Sequence, residues 1–223
     1  MSNDCFSAPP GYPSDCEVTE GYRAMARERE GRLREPDLQR VFARAKEIRL
    51  LLLDVDGVLT DGTLHYSGAS GESKSFHTQD GFGIRLLQEA GIDVGVITAR
   101  QSEVVARRAG ELRMRYIYQG MRNKKEALKE ILQVSGYRPF QVAYMGDDWL
   151  DLVLLQQVGF AIAPANAVRE VKEVAHFVTE RAGGSGAVRD ACDLILEAKN
   201  LMADLLRKYR APQSGISPFT KSS

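Results

Sequence analysis

Four consecutive leucines, Leu50 to Leu53, run straight into Asp54-Val55-Asp56-Gly57, and that junction limits the possible folds more than any other stretch. The run is long enough for one strand and too short for a stable helix. Apolar on both faces, it belongs inside a parallel sheet covered by helices on each side. Such sheets bind ligands beyond the carboxyl ends of their strands, where Asp54 and Asp56 stand. Two residues apart in extended geometry, both carboxylates leave the same face, and they repel unless a cation or a shared proton intervenes. A divalent metal site with a spare carboxylate for chemistry is the simplest reading. Taken alone, Asp-x-Asp-Gly also suits an ordinary turn, so the downstream residues must decide.

Those residues alternate between strand and helix patterns. Leu38, Val41, Phe42, Ala45 and Ile48 recur with helical spacing behind Pro36, which suits a first turn. Short alternating runs around a Gly/Ser-rich turn predict a β-hairpin over 63–77. A helix opened by Asp80-Gly81-Phe82-Gly83-Ile84-Arg85 ends at Gly91. Further strands follow at 93–100, 115–118, 141–145, 159–163 and 176–179, with helices from Ser102 to Leu112, from near Lys124, and after Asp151. One last helix is expected from Ala187 to Tyr209, with Leu194, Leu201 and Leu205 on its apolar face. The pattern predicts an α/β protein: a doubly wound, Rossmann-like, mainly parallel sheet with helices on both faces and a projecting hairpin. Residues 35–209 form its single domain. Residues 1–34, rich in Pro, Gly and charge, read as a disordered or weakly structured leader, and 210–223 as a flexible tail.

Composition narrows the partners. Basic and acidic residues balance at 30 each, so no global field favours nucleic acid or an anionic membrane. No apolar run approaches a membrane span and no signal-peptide pattern opens the chain, which predicts a soluble cytoplasmic protein. Cys5, Cys16 and Cys192 lack C-x-x-C spacing, which fits a reducing compartment without disulfides or a thiolate metal site.

The carboxyl ends of the four main strands carry Asp54 and Asp56, then Thr98, then Lys124 at a helix start, then Asp147 and Asp148. In a parallel sheet these ends converge on one crevice. A nucleophile, an acid, a hydroxyl, a fixed cation and metal carboxylates are what phosphoryl transfer requires, because its transition state spreads negative charge over oxygens. Oxygen ligands without His or Cys favour Mg²⁺ over Zn²⁺.

Asp54-Val55-Asp56-Gly57-Val58, Ile97-Thr98, Lys124 and Gly146-Asp147-Asp148-x-x-Asp151 resemble, in order, the four motifs of the haloacid dehalogenase superfamily of phosphohydrolases. The resemblance implies that Asp54 attacks phosphorus, that Asp56 protonates the leaving alcohol and then activates water, and that Thr98 and Lys124 hold phosphoryl oxygens. It implies Mg²⁺ on Asp54, Asp147 and the backbone carbonyl of Asp56, with Asp148 and Asp151 as outer supports. More narrowly, Asp54 to Gly62, the hairpin, Asp80 to Arg85, Ile97 to Arg100, Tyr118-Gln119-Gly120, Asn123-Lys124 and Gly183 to Arg189 look like the 3-deoxy-D-manno-octulosonate 8-phosphate phosphatase family, over roughly residues 48–195. That likeness implies an acid sugar phosphate as substrate, contacted by Asp56, Arg85, Arg100, Arg108 and Lys124, in lipopolysaccharide precursor synthesis. His77 stands where the family has Asn, still able to donate a hydrogen bond, and Ala99 where it has Gly. Arg108 rests on the likeness alone, since helical spacing from Arg100 picks Arg107.

The interval from Asp56 to Thr98 holds only the hairpin and one helix, leaving no room for a cap domain. In the resembling family neighbouring subunits of a homotetramer cover the crevice with the hairpin and the C-terminal segment. The hairpin and Gly183–Arg189 are available for that role here. Trp149, Tyr116 and Tyr118 read as packing residues, and His65 and His176 as surface or strand residues. Two rivals remain. A phosphatase for a nine-carbon acid sugar carries Glu where Arg100 stands, and a signalling receiver places its acceptor Asp on a mid-chain strand rather than the first.

Overall fold

In the computed structural model the described residues are 20–21, 36–67 and 71–210. The leader, apart from residues 20–21, the hairpin tip and the tail after Arg210 lie outside them. The first helix, α1, spans Pro36–Glu47 and leads into β1, Leu50–Leu53. A hairpin, β2 (His65–Ser67) and β3 (Gly71–Ser73), precedes α2 (Thr78–Glu89). There follow β4 (Asp93–Ile97), α3 (Glu103–Glu111), β5 (Tyr116–Tyr118), α4 (Lys124–Ser135) and β6 (Val142–Met145). A 3₁₀ turn at Trp149–Asp151 opens α5 (Leu152–Leu155), then β7 (Phe160–Ala163), α6 (Arg169–Val174), β8 (Phe177–Val178), α7 (Ala187–Ala198) and α8 (Met202–Arg210).

Six strands form one parallel sheet in the order β5-β4-β1-β6-β7-β8, and the hairpin is a separate antiparallel pair. The winding direction reverses at β1, which pairs Leu51 with Val94 on one side and Ala143 on the other. A crevice opens at such a reversal, beyond the carboxyl ends of the two strands that flank it. Here those strands are β1 and β6, and Asp54 and Asp147 stand just beyond their ends.

The four leucines serve both faces, as a period of two requires. Leu51 and Leu53 enter a core with α1, α2, α3 and α7, through Val41, Ile84, Val105 and Ile195. Leu50 and Leu52 enter the other with α4, α5 and α6, through Ile131, Leu154 and Val171. All four are fully buried. Among the described residues no second domain intervenes between β1 and β6, and no helix is long and apolar enough to cross a membrane.

The C-terminal helix departs from the sequence expectation. It breaks at Asn200, whose φ is 58°, while Leu201 N donates to Leu196 O at 2.9 Å. That closing bond, with a left-handed Asn, ends α7 and lets α8 fold back on α7 and α2. The apolar spacing continues through the break, so periodicity alone reads one helix.

Leu52→Ala removes a fully buried side chain from the central strand. It should cost about 2–5 kcal/mol, seen as a lower urea midpoint with an unchanged m value.

Candidate active site

The β1 strand ends at Leu53, and the chain turns at once: N–H groups of Val58, Leu59 and Thr60 all donate to the Val55 carbonyl. Gly57 enables the turn with φ 87°. It also lets Asp147 approach, since a Cβ at Gly57 would lie 2.0 Å from Asp147 Oδ2. The turn corrects the expectation that Asp54 and Asp56 act side by side from one extended strand. Asp54 faces Lys124 and Asp147, whereas Asp56 faces the hairpin.

Lys124, the first residue of α4, is buried with its Nζ 2.9 Å from Asp54 Oδ1, 2.6 Å from Asp151 Oδ1 and 3.1 Å from the Tyr144 hydroxyl. Tyr144 in turn donates to Asp151 Oδ1 at 2.6 Å. The other Asp151 oxygen accepts the N–H groups of Asp147 at 3.0 Å and Asp148 at 3.2 Å. With both oxygens doubly occupied, Asp151 organises its neighbours and has no lone pair to spare for a metal. Asp148 is exposed and caps the 3₁₀ turn, accepting from Trp149 N at 2.7 Å.

Carboxylate oxygens of Asp54, Asp147 and Asp151 lie within 4.8 Å of one another. Asp147 Oδ1 is buried with no hydrogen-bond partner. If ionised, three carboxylates beside the single Lys124 ammonium leave a surplus of negative charge that a divalent cation would balance. Burial pushes the Asp147 carboxyl up to about 7, assisted by the charges of Asp54, Asp151 and Asp148. Burial also raises Asp54 to about 6, opposed by Lys124 beside it. For Lys124 burial acts against the ammonium, but Asp54 and Asp151 outweigh it and raise its pKa. Burial, with Asp151 and Asp54 close by, raises the Tyr144 hydroxyl well above its ordinary value. The orphaned Asp147 oxygen and the all-oxygen donor set fit a hard cation such as Mg²⁺ held by Asp54 and Asp147.

The remaining predicted residues divide. Thr98 is buried at the end of β4, its hydroxyl accepting from Arg100 N at 3.4 Å. Arg100 Nε lies 3.6 Å from Asp56 Oδ2, which brings Arg100 into the crevice. Arg108 spans the start of α2, its guanidinium 5.8 Å from the Phe76 ring centroid and against Gly81. His77 lies in the same region, with its Nδ1 buried and without a hydrogen-bond partner. Arg85 is exposed on α2, where its charge acts on Glu89 and on Tyr209 of α8. The structure groups Asp54, Asp56, Thr98, Arg100, Lys124 and Asp147, while Arg108 and His77 flank α2 and Arg85 faces outward. Trp149, expected in packing, is 63% exposed.

Sequence reading missed several supports. Asn166 donates to Gly57 O at 3.0 Å and accepts from Gly183 N at 2.6 Å, a bridge with no sequence signal. Gly183 packs so tightly on the β1 turn that a Cβ there would lie 1.8 Å from Gly57 O. The Gly-rich loop therefore buttresses its own chain's turn. Tyr144 had a readable signal, because a Tyr in an otherwise apolar interior strand needs a hydroxyl partner. Glu72 and Lys74 also had one, lying two apart on a strand so that both leave the same face.

A carboxyl with a folded pKa above its unfolded value stabilises the fold while protonated and loses that contribution as pH rises through the folded pKa. Metal-free protein should therefore lose stability as pH climbs from 3.8 through about 7. Mg²⁺ displaces those protons, so its effect on melting temperature should grow across the same window and then level off. A Mg²⁺-induced shift of constant size across that window would contradict the assignment.

Comparison with known proteins bears on this arrangement. The family described as haloacid dehalogenase-like hydrolase matches residues 114–190. A 3-deoxy-D-manno-octulosonate 8-phosphate phosphatase of Yersinia pestis is 44% identical over 160 residues, covering 72% of this chain and 86% of its own. The structure of a HAD superfamily (subfamily III A) hydrolase from Legionella pneumophila superposes with a TM-score of 0.76 at 44% identity, over 79% of this chain and 97% of that one. A 3-deoxy-D-manno-octulosonate 8-phosphate phosphatase from Moraxella catarrhalis, solved with magnesium, phosphate and KDO, gives a TM-score of 0.75 at 38% identity, over 76% of this chain and 98% of that one.

Proposed function

The chain belongs to the 3-deoxy-D-manno-octulosonate 8-phosphate phosphatase family of haloacid dehalogenase-like hydrolases, and from that membership we propose that it hydrolyses this acid sugar phosphate to the free sugar acid and phosphate. The observation that carries the reading is the Asp54–Lys124–Asp147 arrangement at the topological reversal, a nucleophile beside a fixed cation and an orphaned carboxylate oxygen.

In the proposed mechanism an Asp54 carboxylate oxygen attacks phosphorus, the bond from phosphorus to the sugar oxygen breaks, and Asp56 gives that oxygen its proton. Asp56 then takes a proton from water as the water oxygen attacks phosphorus. The phosphorus–Asp54 bond breaks, releasing phosphate and restoring the Asp54 carboxylate and the protonated Asp56. Lys124, held by Asp151 and Tyr144, presents an ammonium to the phosphoryl oxygens, and the Thr98 hydroxyl supplies a second donor. Mg²⁺ on Asp54, Asp147 and the Asp56 carbonyl would supply charge neutralisation for the phosphoryl oxygens. Arg100, beside Asp56, and Arg108 are the proposed contacts for the substrate's acid end, with His77 and Arg85 as outer contacts. The presence of Arg100 instead of Glu at this position favours the octulosonate over the nine-carbon sugar.

The proposal extends to a cytoplasmic homotetramer that makes lipopolysaccharide precursor, with neighbouring copies covering the capless crevice. Exposed Phe82, Trp149 and Leu150 support such contacts.

Asp54→Asn should fold normally and lose at least about 10³-fold in kcat, measured as phosphate release from octulosonate 8-phosphate with and without Mg²⁺. Retained turnover would overturn the nucleophile assignment. A stable phosphorylated wild-type protein that releases no phosphate from any sugar would instead favour a receiver.

A further inference from the structure

Beyond the residues that resemblance supplies, the hairpin contributes two charged side chains to the crevice. Glu72 and Lys74 leave the same face at the end of β3 and point at the groups beyond β1 and β4. Lys74 Nζ forms an ion pair with Asp56 Oδ1 and lies 3.3 Å from Glu72 Oε1. Glu72 Oε1 lies 3.4 Å from Arg100 Nη2, and Arg100 Nε lies 3.6 Å from Asp56 Oδ2. The four side chains close a ring of alternating charge, two members from the hairpin and two from the sheet. The Lys74 side chain is only 1% exposed, so the ammonium is committed to carboxylate partners rather than to water.

This ring conflicts with the chemistry assigned to Asp56, because each of its oxygens already faces a cation while the reaction needs one of them at the leaving oxygen. The ring must therefore open in the reacting complex. A sugar phosphate without a carboxylate presents its charge to Lys124 and brings none to the ring. An acid sugar brings a third carboxylate to a ring of two carboxylates and two cations, so one carboxylate must be given up. Asp56 is the member with a replacement partner at hand, the leaving-group oxygen. Glu72 already touches both cations, so when Arg100 turns to the incoming carboxylate, Glu72 is placed to take Lys74 alone.

We propose that Glu72 and Lys74 are positioning residues that determine specificity. The substrate carboxylate engages Arg100, Glu72 draws Lys74 away, and Asp56 is presented to the leaving oxygen only when an acid sugar occupies the site. The inference rests on the phosphatase reading above and adds to it a reason for acid-sugar selectivity that lies in kcat as well as in KM.

The test compares octulosonate 8-phosphate with arabinose 5-phosphate, a sugar phosphate without a carboxylate, in Mg²⁺, for wild type, Lys74→Met, Lys74→Arg, Glu72→Gln and Glu72→Asp. Lys74→Met should lower the ratio of the two kcat/KM values by at least about tenfold, chiefly by sparing or raising kcat on the sugar without a carboxylate, and Lys74→Arg should restore the ratio. Glu72→Gln, which alters a side chain on the outer hairpin, should lower kcat on the acid sugar with little change in KM, and Glu72→Asp should recover part of it. Equal losses on both substrates, with the ratio unchanged in Lys74→Met and in Glu72→Gln, would overturn the inference while leaving the phosphatase reading intact. A wild-type enzyme with no preference for the acid sugar would overturn the substrate reading and this inference together.

Discussion

Lys124 lies between Asp54 and Asp151 at 2.9 and 2.6 Å with its side chain 2% exposed, and the geometry of the crevice follows from that placement. A buried ammonium is tolerated only where carboxylates repay its desolvation. Those carboxylates stand beyond β1 and β6, and the lysine arrives from the helix that follows β5. One cation thus ties together three chain segments that the sheet brings close. It also sits on the first residue of α4, where the helix dipole disfavours positive charge. A local rule broken at the cost of some helix stability, with compensation from outside the helix, is what a functional position looks like.

The sheet topology explains why the compensation is available. Strand β1 lies between β4 and β6, and the winding reverses there, so no crossover helix covers the ends of β1 and β6. Asp54 N donates to Met145 O at 2.9 Å, which continues the β1–β6 ladder to the first catalytic candidate. The turn after Asp54 is then held from two other directions, by Asn166 on the Gly57 carbonyl and by Gly184 N on Val58 O at 3.1 Å. Residues far apart in the chain therefore fix the backbone of one tight turn, which is how sub-ångström placement is obtained from loops.

Much of this was legible beforehand. The β1 leucines, the alternation of strands with helices and the converging strand ends lead to the parallel sheet and to Asp54, Thr98, Lys124 and Asp147 without further information. What periodicity could not supply was any feature set by one residue's backbone. Asn200 in a left-handed conformation splits the last helix without disturbing its apolar spacing, and the turn at Val55 sends Asp54 and Asp56 to different partners although they stand two apart. Arg108 shows the same limit from another side. It meets Phe76 and Gly81 because α3 packs across the start of α2, and sequence spacing within α3 carries no record of that neighbour.

The hairpin takes over part of what a cap would do. A small polar substrate in an open crevice competes with water for every donor, and a three-residue strand pair is too small to exclude water by burying apolar surface. Charge is the means left to it. By placing Glu72 and Lys74 against Arg100 and Asp56, the hairpin closes its inner edge over Asp56 with ion pairs that a ligand carboxylate can exchange for its own. An apolar lid would exclude water for any ligand that fits beneath it, whereas an edge held by carboxylate–cation pairs yields to a ligand whose own carboxylate takes over one of the pairs. On the proposal made for Glu72 and Lys74, selection for an acid sugar follows from closing a capless site electrostatically.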